Sequence, residues 1–152
     1  MKLIDRSAAL SLMVATSLLF FSSLALAQQA EDFGRYEVHY STLNTSLLTP
    51  EVARAYGLER SGNRAMVNIT VLTKTDDGLG TPTPASVQVE SMNLLGQART
   101  IDMREIRDQD AIYYIGTFRI SNEENINFNV TVQPEGEAVP RTFSFRQMFY
   151  VH

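Results

Sequence analysis

The sequence predicts an all-β fold, a single antiparallel sandwich of about seven strands interrupted by one short helical insertion. Three observations carry that prediction. Apolar and polar residues alternate with a period of two along most of the chain, as in Ile112, Tyr114, Gly116, Phe118 and Ile120 or Ile126, Phe128, Val130 and Val132. The alternating runs are short and separated by turn residues, with long connections early and tight ones late, the pattern of an immunoglobulin-like sandwich. Only Leu47 to Leu58 abandons the alternation for helical spacing.

Residues 1–27 are an address rather than part of the fold. Lys2 and Arg6 precede an apolar run from Ala8 to Phe21, and Ala25-Leu26-Ala27 is a small-x-small cleavage site before Gln28. The apolar run, broken at Ser22 and Ser23, falls short of the roughly 20 residues a membrane span needs. A cleavable signal peptide is therefore expected, with no membrane span left after cleavage.

The elements of the domain, residues 28–152, follow in order. Gln28 to Asp32 reads as a loose polar arm. From Arg35 to Asn44, Tyr36, Val38, Tyr40 and Thr42 share one strand face and Arg35, Glu37, His39 and Ser41 the other. The helical stretch comes next: Thr49 suits an N-cap, Pro50 the first helical position, and Gly57 the left-handed residue that closes the last turn. A strand from Arg64 to Lys74 turns Val67, Ile69 and Val71 inward, while Met66 and Leu72 on its other face suggest cover on both sides. Lys74 to Pro84, with Asp77-Gly78 and two alternate prolines, is the connection expected to carry the chain between sheets. Strands are then expected over Ser86–Asn93, Ala98–Arg107, Ala111–Ile120, Ile126–Gln133 and Arg141–Val151. A closed outer-membrane barrel ending in the aromatic Met148-Phe149-Tyr150-Val151-His152 is the rival architecture. Its strands would need to be longer, and its tight turns and long loops would alternate.

The totals exclude several function classes. Thirteen basic against 17 acidic residues leave a net charge of −4, and loss of Lys2, Arg6 and Asp5 with the leader makes it more negative. A mildly acidic chain without basic runs does not fit nucleic acid as a partner. There is no cysteine, so a lipid anchor on an N-terminal cysteine is excluded and stability in an oxidising compartment must come from burial. A small cysteine-free exported domain fits a Gram-negative periplasm. On that reading the Asn44, Asn68 and Asn129 sequons are chance matches.

No assembled catalytic set is legible. The chain lacks a G-x-S-x-G elbow and holds only His39 and His152 as imidazole bases, the second at a chain end where mobility is expected. Two distant histidines without a thiolate do not make a transition-metal site, and no cofactor is expected. Asp76-Asp77 and Asp108/Asp110 sit where turns ordinarily place aspartate. Glu90, Asp102 and Glu105 are the carboxylates a hydrolase could use, and a solvated sheet face accounts for them more simply. Asp102 with Arg104, and Glu105 with Arg107, are spaced to share strand faces and pair.

The insertion supplies the candidate partner surface. Glu51, Arg54, Tyr56, Arg60 and Arg64 gather a tyrosine among arginines, a composition common in recognition surfaces. Leu47, Leu48, Val52, Ala55, Tyr56 and Leu58 are expected to plug the open end of the core, with Tyr56 and Leu58 as anchors.

Tyr36-Glu37-Val38-His39-Tyr40, Leu48-Thr49-Pro50-Glu51-Val52-Ala53-Arg54-Ala55-Tyr56-Gly57, Asn93-Leu94-Leu95-Gly96-Gln97, Ala111-Ile112-Tyr113-Tyr114-Ile115 and the closing Phe149-Tyr150-Val151 resemble domain-of-unknown-function family DUF4426. The resemblance spans essentially the whole chain after the leader. It implies a small secreted single-domain protein of Gram-negative bacteria and brings no activity to any residue. The functional expectation is a non-enzymatic binding or interaction module of the cell envelope, its partner an envelope protein or other component. A carboxylate hydrolase is the alternative. A chaperone-like strand-exchange protein is the third reading, and it requires the last strand to lie on an exposed sheet edge.

Overall fold

The computed structural model describes residues 29–152. The expected signal peptide, residues 1–27, lies outside the described residues. Ten strands form two antiparallel sheets. They are β1 (Gln29–Phe33), β2 (Tyr36–Asn44), β3 (Arg64–Thr73), β4 (Thr81–Pro82), β5 (Ala85–Asn93), β6 (Ala98–Ile101), β7 (Arg104–Asp108), β8 (Ala111–Arg119), β9 (Glu124–Pro134) and β10 (Arg141–Phe149). The first sheet runs β1-β2-β3-β8-β7, with β4 also paired to β3; the second runs β10-β9-β5-β6. Both sheets keep open edges, so the chain is a sandwich and not a closed barrel.

The seven expected strands are all present, and three departures make up the difference. Residues 29–33, expected as a loose arm, form an edge strand in register with β2 from Gln29↔Tyr40 to Phe33↔Tyr36. Phe33 packs on Phe143 at 6.2 Å, and Asp32 Oδ2 lies 2.6 Å from Lys74 Nζ. That contact explains why so polar a segment is ordered. The connection after β3 does carry the chain between sheets, but Thr81–Pro82 pairs back to β3 on the way. The expected strand 98–107 is two strands in different sheets, joined at Asp102-Met103.

That last break has a partner across the sandwich. A Cβ on Gly116 of β8 would collide with Ile101 Cγ2, lie 2.6 Å from Met103 Sδ and 2.9 Å from the Asp102 carbonyl oxygen. The chain passes from sheet to sheet directly against this glycine.

The core lies between the sheets. Val38, Val67, Ile69, Val71, Val89, Phe128, Val130 and Val132 are fully buried, each from the inward set of its strand. Phe128 stacks on Phe145 at 4.7 Å and meets Phe118 edge-on at 5.5 Å. The Tyr114 hydroxyl bridges the sheets, accepting the Ala85 N–H at 2.8 Å and donating to Glu105 Oε2 at 3.1 Å.

The helix α1 (Pro50–Ala55) has the expected local chemistry. Thr49 Oγ1 accepts the Val52 N–H at 3.3 Å, Pro50 stands at the first turn, and Gly57 has φ 62°. A 3₁₀ turn at Thr45–Leu47 precedes it. Its expected role as a plug for the core is not what the structure shows. Leu47 is 66% exposed, Val52 38% exposed, and Ala53 is the buried residue of the helix. The helix sits outside the first sheet: the Tyr56 ring lies 6.2 Å from Tyr113, and its carbonyl accepts Arg104 Nη2 at 3.1 Å. Met66 and Ile115, on the outward face of β3 and β8, are buried without belonging to the core. The helix is therefore held against the outside of the first sheet, with Ala53 its one buried residue.

The end of the chain, where mobility was expected, is tied down. Asn44 Nδ2 donates to the Tyr150 carbonyl at 2.6 Å, Val151 N–H to Asn122 Oδ1 at 3.2 Å, and His152 N–H to the Gly62 carbonyl at 3.2 Å.

Candidate functional site

The outward face of β2 and β3 carries a cleft of about 440 Å³ lined by Glu37, His39, Thr70, Leu72, Lys74 and the loop 75–80. Strand register builds its floor, because Glu37 pairs with Leu72 and His39 with Thr70. The loop forms its wall. Gly78 N–H donates to the Thr75 carbonyl at 3.0 Å, Leu79 N–H to Asp77 Oδ1 at 3.0 Å, and Gly80 N–H to Thr75 Oγ1 at 2.9 Å. The Thr75 hydroxyl and the Leu79 N–H hold the Asp77 carboxyl below the usual range. Asp77 thus serves the turn, as its position in the sequence suggested.

His39 is the distinctive group of the cleft. Its Nε2 lies 3.0 Å from Glu37 Oε1, so the N–H on that nitrogen is donated to the carboxylate. Nδ1 is buried and has no hydrogen-bond partner. Lys74 reaches Asp32 on the far side, and the hydrogen bonds from Lys74 and from Gly34 N–H keep the Asp32 carboxyl low. Carboxylate, imidazole, hydroxyl and ammonium groups therefore line one cleft.

A second hollow, about 360 Å³, gathers Glu105, Glu135 and Glu137 beside Pro84 and Gln133. The sequence reading missed this trio because the three residues come from β7 and from the turn after β9. Tyr36 donates its hydroxyl to Glu137 Oε1 at 3.0 Å. Arg107 Nε lies 2.6 Å from Glu105 Oε1, the pairing their strand spacing predicted, and it holds the Glu105 carboxyl low with help from Tyr114. Because the folded-state value lies below the unfolded one, this group stabilises the fold above the unfolded-state value. That contribution is lost as pH falls through the folded-state value. Glu105→Gln is accordingly expected to flatten the loss of denaturant resistance between about pH 6 and about pH 3, read from unfolding midpoints.

The remaining carboxylates do not assemble. Glu90 stands on the exposed face of β5, and Asp102 lies at the sheet crossing. Every carboxyl displaced from its ordinary value (Asp32, Asp77, Glu105) is displaced downward, whereas a general acid at neutral pH needs the reverse. Among the described residues no group of three or more His, Cys, Asp or Glu side chains is placed to hold a metal ion.

The five residues of the expected partner surface are distributed around the helix. Glu51 lies in its first turn and Arg54 in its last, both exposed. The Tyr56 hydroxyl donates to Asp108 Oδ2 at 2.9 Å, which raises its pKa. Arg60 Nη2 donates to the Ser46 carbonyl at 3.2 Å. Arg64 Nη1 reaches Thr117 Oγ1 at 3.2 Å, with Nε 3.6 Å from Glu59. Three of the five side chains thus hold the insertion in place.

Comparison with known proteins gives a consistent family. A family model described as Domain of unknown function (DUF4426) matches residues 30–152. A crystal structure of a DUF4426 family protein from Pseudomonas aeruginosa PAO1 is similar at 33% identity and TM-score 0.73, over 82% of this chain and 96% of that one. FetP of a uropathogenic Escherichia coli strain, recombinantly expressed in the periplasm, shares the fold at 12% identity and TM-score 0.58, over 82% and 95% of the two chains. A copper-bound FetP variant does so at 11% identity and TM-score 0.57, over 83% and 92%. No curated protein matches the chain.

Proposed function

The chain belongs to the DUF4426 family, and on that footing we propose that it is an exported, non-enzymatic binding module of the bacterial cell envelope, working in the periplasm. The cleft carries this reading. It sets the His39–Glu37 pair, the Thr70 and Thr75 hydroxyls and the Lys74–Asp32 pair along one concave two-strand floor. Such a site recognises a polar ligand group with at least one donor and one acceptor, as found on an amino sugar or a peptide of an envelope component. The leader residues support export, and FetP, which shares the fold, has a copper-bound variant. Copper is not carried over from that protein, since the described residues offer no cluster to hold it.

The reading is tested by thermal-shift titration of the exported protein with free amino acids, N-acetylated amino sugars and short peptides. A ligand at a hundred times its Kd should stabilise the fold by about 2.7 kcal/mol, a shift of several degrees. His39→Ala should remove the shift, and Arg54→Ala with Tyr56→Ala should leave it. The opposite result would move the binding surface to the helix, and no shift from any probe would remove the cleft as a site.

A further inference from the structure

We propose that β10 is a docking edge that accepts an extended, acidic segment of another exported chain as an added strand of the second sheet. Five strands have a single partner, and four are blunted, β4 by having two residues, one of them Pro82. β1 has five residues, with Asp32 tied to Lys74; β6 has four; β7 has five, of which Arg104, Glu105, Arg107 and Asp108 are charged. Short and charged edges do not template pairing. β10 is the longest of them and carries two charges, Arg141 and Arg146. Its nine residues keep an unbroken antiparallel register with β9, from Arg141↔Val132 to Phe149↔Glu124, with no bulge and no proline. It pairs with no other strand among the described residues. Outside the ladder, its backbone receives one bond among the described residues, from the Gln147 side-chain amide to the Met148 carbonyl at 2.9 Å. A long, flat edge with free N–H and C=O groups is the geometry that strand addition uses.

The side chains specify the occupant. Toward the core, Phe143 is buried and Phe145 partly buried, the latter 4.6 Å from Tyr40. On the outer face, Ser144 bonds Asn129 and Arg146 bonds Asn127, both at 2.7 Å. The strand holds Arg141 and Arg146 and no acid, in a chain whose net charge is −4. A segment with apolar residues toward the core and acidic residues on its outer face meets Phe145 on one side and Arg146 on the other.

The test uses fluorescent nine-residue peptides that alternate valine with glutamate or valine with lysine, titrated by anisotropy against the exported protein. The glutamate peptide should bind at least about tenfold tighter than the lysine peptide, with amide-exchange protection gained across Arg141–Phe149. Arg141→Glu with Arg146→Glu should invert the preference, while His39→Ala leaves it unchanged, separating this edge from the cleft. Equal binding of the two peptides, protection elsewhere, or a dimer through β10 seen by sedimentation would each overturn the proposal. Exchange protection in the unsubstituted protein decides the matter even where the double substitution disturbs folding.

Discussion

Gly116→Val should lower the stability of this protein by at least about 3 kcal/mol, equivalent to roughly 10 °C in melting temperature. The glycine is not there for its backbone freedom. It is there because Ile101, Met103 and the Asp102 carbonyl occupy the space a side chain would need. A flexible side chain such as Met103 could yield, but the Asp102 carbonyl belongs to the chain where it leaves one sheet for the other. Ile101→Ala added to Gly116→Val should therefore fail to restore stability, since it relieves the methyl contact and leaves the backbone one. Chemical denaturation of the two variants measures this directly. Recovery to the level of Ile101→Ala alone would show that the crossing can move aside.

Phe128→Ala is expected to cost about 3–5 kcal/mol. The side chain is fully buried, stacked on Phe145, and edge-on to both Phe118 and Phe149 at 5.5 and 6.2 Å. Removing it takes contacts from three rings contributed by β8 and β10, so the surrounding structure has little freedom to collapse into the void. Set against a total of about 5–15 kcal/mol for a domain of this kind, the loss leaves the fold marginal. The chain has no disulfide to compensate. Phe128→Leu, which keeps much of the volume, should lose markedly less, and equal losses in the two variants would mean that the aromatic cluster is not what holds the sheets together.

Much of this architecture was legible in the residues, and the exceptions share a cause. Inward sets such as Val67, Ile69 and Val71 or Ile126, Phe128, Val130 and Val132 are buried as their alternation predicts. The helix is bounded by Thr49, Pro50 and Gly57 as local chemistry requires. Local pattern does not say which surface an element meets. Val52, Ala55 and Tyr56 recur at helical spacing, yet the helix buries Ala53 instead and Tyr56 rests beside Tyr113 on the outside of the first sheet. Residues 98–107 alternate smoothly enough to pass for one strand, and only Gly116, distant in sequence, marks where the chain switches sheets. The cleft was legible in part: His39 was visible as a polar-face histidine. Its pairing with Thr70 and the folding back of residues 75–80 depend on register and loop closure, which no single stretch encodes. Glu105, Glu135 and Glu137 come together for the same non-local reason.

The crossing at Asp102-Met103 has one more consequence. Three passages of chain join the two sheets, between β4 and β5, β6 and β7, and β8 and β9, and none begins or ends in β1, β2 or β10. The sandwich is therefore bound like a book, with its spine at β6–β7 and its fore-edge at β1 and β10, held there by the rings of Phe33, Tyr40, Phe143 and Phe145 and by the hydrogen bonds of Tyr36 to Glu137 and of the tail after β10 to Asn44 and Gly62. Thermal opening of such a body is one-sided: the pages part at the fore-edge while the spine stays sewn.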